Sequence, residues 1–584
     1  MLDPANPAQM IQAPSLSLTS DIFCAGQSWD ALGRLVIAGG FNHPFPPDEV
    51  YRFDPAGLGH VGYTIPAPGQ PPVAHIAGQS TTVSAWTSLS PEMSVPRYYP
   101  TLIPTLRDVL STECTPTFSV GGGSSWILGG WTAGSGTPID LWEYVQVSAT
   151  GVGPYVLYPT GGSTLPGWTV PATAQEYARI SLSGQPLPDP RLDQYPRAFQ
   201  LSSKDALIVN DVEGLSAAPW TNPRGVARVI RTPVSTNLTP RCWELHTGPS
   251  AEYLEPIPGS SPPTNALITN DRSYGTAVLL HTLGVRDRVL TFGGSERAPA
   301  LLASGWWVTR SVQEFARNSQ PSQNPIATGS WTPRQRKVDM AEPRIFLNAV
   351  VLPTGQILLV GGGRVDTGHG QDACMYSDPV FEPELYEPGF DSSATGSTRL
   401  LRTSNPSPTG FPSPRLYHSL AVLLPDGRVF VGGGEEARIP QLGCPGTYPS
   451  FADSGFSGEV YYPPYLHQGF RPTLADVPSR KQLGMSMSVT VTWSSGHTVP
   501  RFAFLRPAAV THHFDNDQRY IEAEAGAPTD VTDDGAGNLT GTFALTTPSA
   551  DLAPPGFYML FAVERSSGAS PVLVPSMAAF INLF

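Results

Sequence analysis

At 584 residues and a formal net charge of −13, the chain is too long for one ordinary compact domain and has the wrong sign of charge for nucleic acid or an anionic membrane surface. Its 58 glycines, 63 prolines and 14% charged residues favour a turn-dense all-β protein over a helical one. No apolar run is long enough to span a bilayer, and the N-terminal stretch shows neither the basic segment nor the apolar core of a signal peptide.

In chain order, one hairpin module can be read six times. It opens with DIFCAGQSWDALGRLVIAGG, Asp21 to Gly40. Arg97-Tyr98-Tyr99-Pro100 leads to a copy ending at Gly130, Arg197-Ala198-Phe199 to LIVND, and Arg272-Ser273-Tyr274 to LTFGG. Two clear copies follow, RIFLNAVVLPTGQILLVGGG from Arg344 and RLYHSLAVLLPDGRVFVGGG from Arg415, each with 17 residues from the arginine to the first glycine. Apolar-rich strands around Pro-Thr-Gly or Pro-Asp-Gly are hairpin signals. A further strand follows several copies, as VYRFDP, LYEP and VYYPP. Six sheets of this kind in tandem predict β-propeller blades over residues 1–465.

After about Leu466 the glycine doublets stop and alternating strands take over, in SMSVTVTW, RFAFL, TGTFAL, FYMLFAV and AAFINLF. Their spacing predicts a separate antiparallel sandwich over 466–584. If one of the five cysteines, Cys24, Cys114, Cys242, Cys374 and Cys444, has a private role, the other four can form two disulfides or remain buried thiols; spacing does not decide.

Aligned on Arg-x-aromatic, the modules put Phe23, Tyr99, Phe199, Tyr274, Phe346 and Tyr417 in one column. The next column holds Cys24, Pro100, Gln200, Gly275, Leu347 and His418. First strands of propeller blades line one axis, so Cys24, Tyr99, Tyr417 and His418 are predicted to converge. Neighbours on a regular strand face opposite ways, so Tyr417 and His418 serve one site only if the strand bends or begins there. Taken singly, each has a plain reading: a packing aromatic, a hydrogen-bonded histidine, a buried small hydrophobe. Together, phenol, imidazole and thiol suit Cu(II).

At these residues the chain resembles the galactose oxidase and glyoxal oxidase family of copper-radical oxidases. The resemblance is carried by FCAG, RYYPT, LYHSLAVLLPDGRVFVGGG, THHFDNDQR and PGFYMLF in that order, and is thin between about 133 and 270. It implies an all-β fold, a kelch-type propeller with an immunoglobulin-like sandwich behind it. It also implies one copper ion bound by Tyr99, Tyr417, His418 and His512, with His513 as the rival to His512. Cys24 and Tyr99 would be joined by a thioether and hold a tyrosyl radical, Tyr417 would be the base, and Trp131 would shield the crosslink. The implied reaction is oxidation of a primary alcohol to an aldehyde, or of an aldehyde to an acid, with O2 reduced to H2O2. A secreted or cell-surface monomer is the family expectation.

Two features depart from that pattern. The family propeller has seven blades, whereas only 23 residues precede Cys24, so the first blade is read as incomplete. The arginine that holds sugar hydroxyls in galactose oxidase has no clean counterpart, Arg197 being near but out of register, so simple alcohols or aldehydes are favoured over sugars. The competing class is a non-catalytic kelch propeller serving as an interaction or structural module, which would need no tyrosine, histidine or cysteine on its axis. A hydrolase or lyase is weaker, since no carboxylate pair occupies the columns.

Overall fold

The computed structural model describes residues 21–40, 47–54, 96–104, 195–202, 274–297, 306–317, 335–365, 377–389, 396–401, 414–434, 458–567 and 572–584, with isolated strands elsewhere. Trp131, Cys114, Cys242, Cys374 and Cys444 lie outside the described residues. Among those described the fold is all-β, with one 3-10 turn at Pro464–His467. Among the described residues no helix is long and apolar enough to cross a membrane.

Five of the six modules form their own antiparallel sheets, and the strands of the fourth pair antiparallel with one another within a larger sheet. Their first strands are Gly26–Trp29, Thr101–Pro104, Arg197–Gln200, Thr276–Thr282, Asn348–Val351 and Ser419–Leu423, for sheets one to six. Successive first strands lie beside one another. The two-residue side-chain period of a strand lets each sheet bury both faces against its neighbours. Asn348–Val351 and Ile357–Val360 are buried at every position.

A repeated latch joins consecutive sheets. The N–H groups of Gly40, Gly294 and Gly362 donate to the carbonyls of Arg97, Arg344 and Arg415, at 3.1, 2.8 and 2.8 Å. Glycine is required just before these donors: a Cβ on Gly361, at φ +69, would stand 2.3 Å from the Arg415 carbonyl oxygen. The same arginines bind their own sheet, Arg344 through Gly361 O (2.8 Å) and Glu384 (3.3 Å), Arg415 through Gly433 O (2.8 Å) and Glu459 (2.6 Å). The recurrent arginine is thus a sheet-to-sheet fastener.

Beyond residue 470 two sheets face each other. Val489, Val491, Trp493, Phe543 and Leu545 from one pack against Phe502, Phe504, Ile521, Tyr558 and Leu560 from the other. The alternate residues Ala503, Leu505, Tyr520, Met559 and Phe561 point the opposite way, into a core shared with sheets four, five and six. Arg519–Ile521 also pairs in parallel with Leu279–His281. Sheet four and the C-terminal unit are one continuous sheet.

Candidate functional site

The head of each first strand turns through a left-handed residue. Positive φ occurs at Cys24 (64°), Tyr99 (55°), Tyr195 (42°), Tyr274 (56°), Phe346 (60°) and His418 (64°), one per sheet. Non-glycine residues adopt this region at a cost, so six in equivalent places form a designed position. Backbone bonds explain it: Tyr99 N donates to Cys24 O (3.0 Å), Tyr195 N to Tyr99 O (2.8 Å) and Phe346 N to Tyr274 O (3.0 Å). Between sheets three and four Arg197 bridges instead, donating to Tyr195 O (2.6 Å) and Gly275 O (3.1 Å).

This geometry corrects the sequence columns. Cys24, Phe346 and His418 each stand nine residues before the turn glycine of their hairpin, Gly33, Gly355 and Gly427. Cys24 therefore replaces Phe23 in the aromatic column, and His418 replaces Tyr417. The sixth module carries one extra residue between arginine and turn, 12 residues from Arg415 to Gly427 against 11 from Arg344 to Gly355. A turn closed by Ser419 N to Leu416 O (2.9 Å) absorbs it, as Ala25 N to Ile22 O (3.1 Å) does in the first module. In both, two adjacent side chains are presented, Tyr417 with His418 and Phe23 with Cys24. In sheet three the position belongs to Tyr195, while Phe199 is core with Leu201 and Leu207.

The remaining groups come from a hairpin of the C-terminal unit, Val510–Thr511 paired with Phe514–Asp515. Its two-residue loop is His512-His513, with φ 48° and 59°. Two positive φ values are the signature of the tightest hairpin turn, usually filled by Asn-Gly. Histidines there carry strain of about 1 kcal/mol or more each. Polar clamps to several sheets hold the hairpin. Asp517 accepts from Ser28 Oγ (3.0 Å) and Trp29 N (2.6 Å), Gln518 donates to Ala349 O (2.9 Å), Arg519 to Gln200 O (2.6 Å), and His513 N to Ser419 O (2.9 Å).

These elements bring Cys24, His418 and His512 together, with one ligand atom from each within 4.8 Å of the others. Cys24 Sγ lies 3.6 Å from His512 Nε2. Around His512 stand the rings of His418 (4.3 Å), Tyr195 (4.5 Å), Tyr417 (5.3 Å) and Tyr99 (5.7 Å). Phe23, 48% exposed, meets His418 edge-on at 4.9 Å on the open side. Burial, then the neighbouring His418 and Arg197, hold the pKa of His512 well below the usual 6.5. His512 is therefore a neutral donor near pH 7. A thiol, two imidazoles and two phenols in one cluster, Cys24 and His512 buried and Tyr99, Tyr417 and His418 half-buried, fit a copper ion.

His513 is turned to another task. Its Nε2 accepts a hydrogen bond from Arg197 at 2.8 Å, and its ring packs edge-on to Phe346 at 5.6 Å. Arg197, 2% exposed, is thus engaged with His513 and two carbonyls. Tyr274 and Phe346 pack with Leu416 and Tyr417 as an apolar wall. Sequence reading missed Tyr195; its available signal was the dipeptide Tyr195-Pro196, which repeats Tyr99-Pro100.

Comparison with known proteins agrees with this architecture. The family described as glyoxal oxidase N-terminus matches residues 272–465, and the galactose oxidase-like Early set domain matches 471–583. Galactose oxidase of Gibberella zeae is 27% identical over 323 residues, 55% of this chain and 39% of that protein. Aldehyde oxidase GLOX of Vitis pseudoreticulata is 31% identical over 328 residues, 55% of each chain. The chain thus spans about half or less of these curated relatives. A fungal alcohol oxidase of the AA5 family, solved in complex with copper, shares the fold at TM-score 0.55 and 20% identity, over 97% of this chain and 86% of that one. The chain belongs to the galactose oxidase and glyoxal oxidase family.

Proposed function

We propose that the chain is a copper-radical oxidase that converts a primary alcohol to an aldehyde, or an aldehyde to an acid, and passes the two electrons to O2 to give H2O2. The observation that carries this reading is the convergence of Cys24, His418 and His512 within 4.8 Å, with Tyr99 and Tyr417 against the same imidazole. Tyr99, Tyr417, His418 and His512 would hold the metal. Bound there, copper supplies a one-electron couple and lowers the pKa of a coordinated phenol.

Alcohol oxidation removes two electrons, so a side chain must take the second. Tyr99 is suited to it, because its N–H bonds to the carbonyl of Cys24 and brings the two side chains to one place. A thioether between them makes the phenol easier to oxidise, and the Tyr99 radical takes a hydrogen atom from the substrate carbon. Tyr417, half-buried beside His418 with ring centroids 4.0 Å apart, receives the hydroxyl proton. The role of Trp131 as a shield for the crosslink rests on the sequence resemblance alone.

The same proposal covers the architecture. Six sheets with neighbouring first strands support a kelch-type propeller over 1–465, followed by the sandwich domain over 466–584. The hairpin strand Val510–Thr511 lies against the first strands of both sheet six and sheet one. The strand Asn6–Met10 lies beside Gly458–Tyr461, where it would complete the three-stranded sixth sheet. Secretion and a monomeric state follow the family.

Peptide mass spectrometry after copper loading in air tests the function. A Cys24–Tyr99 peptide pair lighter by two hydrogens is the expected product. Copper uptake with the two peptides separate would refute the radical mechanism, and absence of copper uptake would leave the non-catalytic scaffold.

A further inference from the structure

Backbone bonds join the heads of sheets one and two, two and three, and four and five, whereas a cation joins those of three and four. The Arg197 guanidinium donates from Nη1 to Tyr195 O at 2.6 Å and from Nε to Gly275 O at 3.1 Å. Its third arm, Nη2, meets His513 Nε2 at 2.8 Å, and its carbon lies 5.3 Å from the centre of the Phe514 ring. Two carbonyls, an imidazole and a phenyl ring are all uncharged. The imidazole has to be, because a guanidinium only donates. Burial, then the Arg197 charge, hold the pKa of His513 well below the usual 6.5.

A neutral donor would tie the same two carbonyls, as peptide N–H groups do at the other junctions. Burying a guanidinium costs more than burying a neutral group, and Arg197 is 2% exposed. What a neutral donor would not bring is the charge. That charge stands beside the cluster. His513 shares a two-residue turn with His512. Tyr195, whose carbonyl the guanidinium holds, has its ring 4.5 Å from that of His512 and 5.3 Å from that of Tyr99. A fixed positive charge in a dry place opposes a doubly charged ion more than a singly charged one.

We propose that Arg197 tunes the metal couple: its buried guanidinium favours Cu(I) over Cu(II) at Tyr99, Tyr417, His418 and His512, and so raises the reduction potential of the bound ion. This rests on the copper reading above. The setting is fixed by the fold, since Arg197 is held by the heads of sheets three and four and by the hairpin that carries His512. Its bonds make it a positioning residue, and its charge gives that position an electrostatic effect. The two roles separate on substitution, because a looser hairpin weakens both oxidation states alike while a lost charge changes their ratio.

Competition titrations under argon, against a Cu(I) chelator and a Cu(II) chelator, give the two affinities of the chain, and their ratio reads the potential. Arg197→Gln should lower the Cu(I)-to-Cu(II) affinity ratio about tenfold, a shift of about 59 mV for a one-electron couple. Arg197→Lys, which keeps the charge and loses the fork, should stay within about twofold of wild type. His513→Glu sets a carboxylate against the guanidinium and should lower the ratio as Arg197→Gln does; it decides the matter if Arg197→Gln fails to fold. An unchanged ratio in Arg197→Gln or His513→Glu, or an equal fall in Arg197→Lys, overturns the tuning role even though copper binds. A wild-type chain that binds neither ion overturns the copper reading itself, and with it the tuning.

Discussion

Cys24 Sγ and His512 Nε2 stand 3.6 Å apart across 488 residues of sequence. One belongs to the first sheet and the other to the strained hairpin of the C-terminal unit, so the site exists only when both ends of the chain are in place. The clamps from Ser28, Trp29, Gln200, Ala349 and Ser419 set that hairpin at its height. The position of one imidazole is thereby a property of the whole fold.

The two adjacent histidines should separate cleanly. His512→Ala is expected to lower copper affinity by more than about 100-fold, since even outer-sphere changes cost about 10–100-fold. His513→Ala should retain copper but lose about 2 kcal/mol of stability, because Arg197 forfeits a buried acceptor. Isothermal titration and urea unfolding of both variants give the answer; equal copper loss in the two would contradict the assignment.

Asp517 is buried with Arg506, its carboxylate 3.6 Å from Arg506 Nε, while accepting from Ser28 and Trp29. Asp517→Ala would strand that guanidinium in a dry place. A loss of about 3 kcal/mol is expected, together with weaker copper binding as the hairpin loosens. Stability loss with unchanged copper affinity would show that the clamp is structural only.

Phe23 sits half-exposed at the open side of the cluster, touching His418 edge-on. Phe23→Ala should change stability by no more than about 0.5 kcal/mol. If the ring forms a wall for substrate, kcat/KM for an aromatic primary alcohol should drop about tenfold, the value of one aromatic contact. Small aliphatic alcohols should be untouched. A uniform loss across both classes would assign Phe23 to supporting His418 instead.

His281 supplies an acid-side dependence away from the site. Burial, with the nearby Arg519 charge, holds its pKa at about 4 in the fold, against an ordinary value of 6.5. The folded state keeps it neutral while the unfolded chain takes up a proton below 6.5, so its contribution is present above that pH and lost as pH falls towards 4. Between pH 7 and 5 the expected loss is about 2 kcal/mol. Denaturant midpoints of wild type and His281→Gln at the two pH values check this, and parallel shifts in both would remove His281 as the cause.

The six modules were readable because period-two strands, turn glycines and the recurrent arginine are all local signals. The finer register was not. Aligning on arginine put Phe23, Phe199 and Tyr417 where the fold has Cys24, Tyr195 and His418, because the left-handed position is counted from the turn glycine. The resemblance favoured His512 over His513, but the partner that occupies His513, Arg197, lies 316 residues before it and was out of reach of a local reading. Tyr195 escaped notice because the alignment began at Arg197, two residues beyond it, whereas Tyr99 stands two residues after Arg97.

The extra residue in the sixth module leaves the module's length unchanged. Arg415 stays latched to the preceding sheet, and the residue gained before the turn is matched by one fewer after it, five residues from Gly427 to Gly432 against six from Gly355 to Gly361. The ladder is thus preserved while a second side chain enters the centre. A packing blade and one that presents two groups to a shared centre differ here in where the turn falls, not in how long the module is.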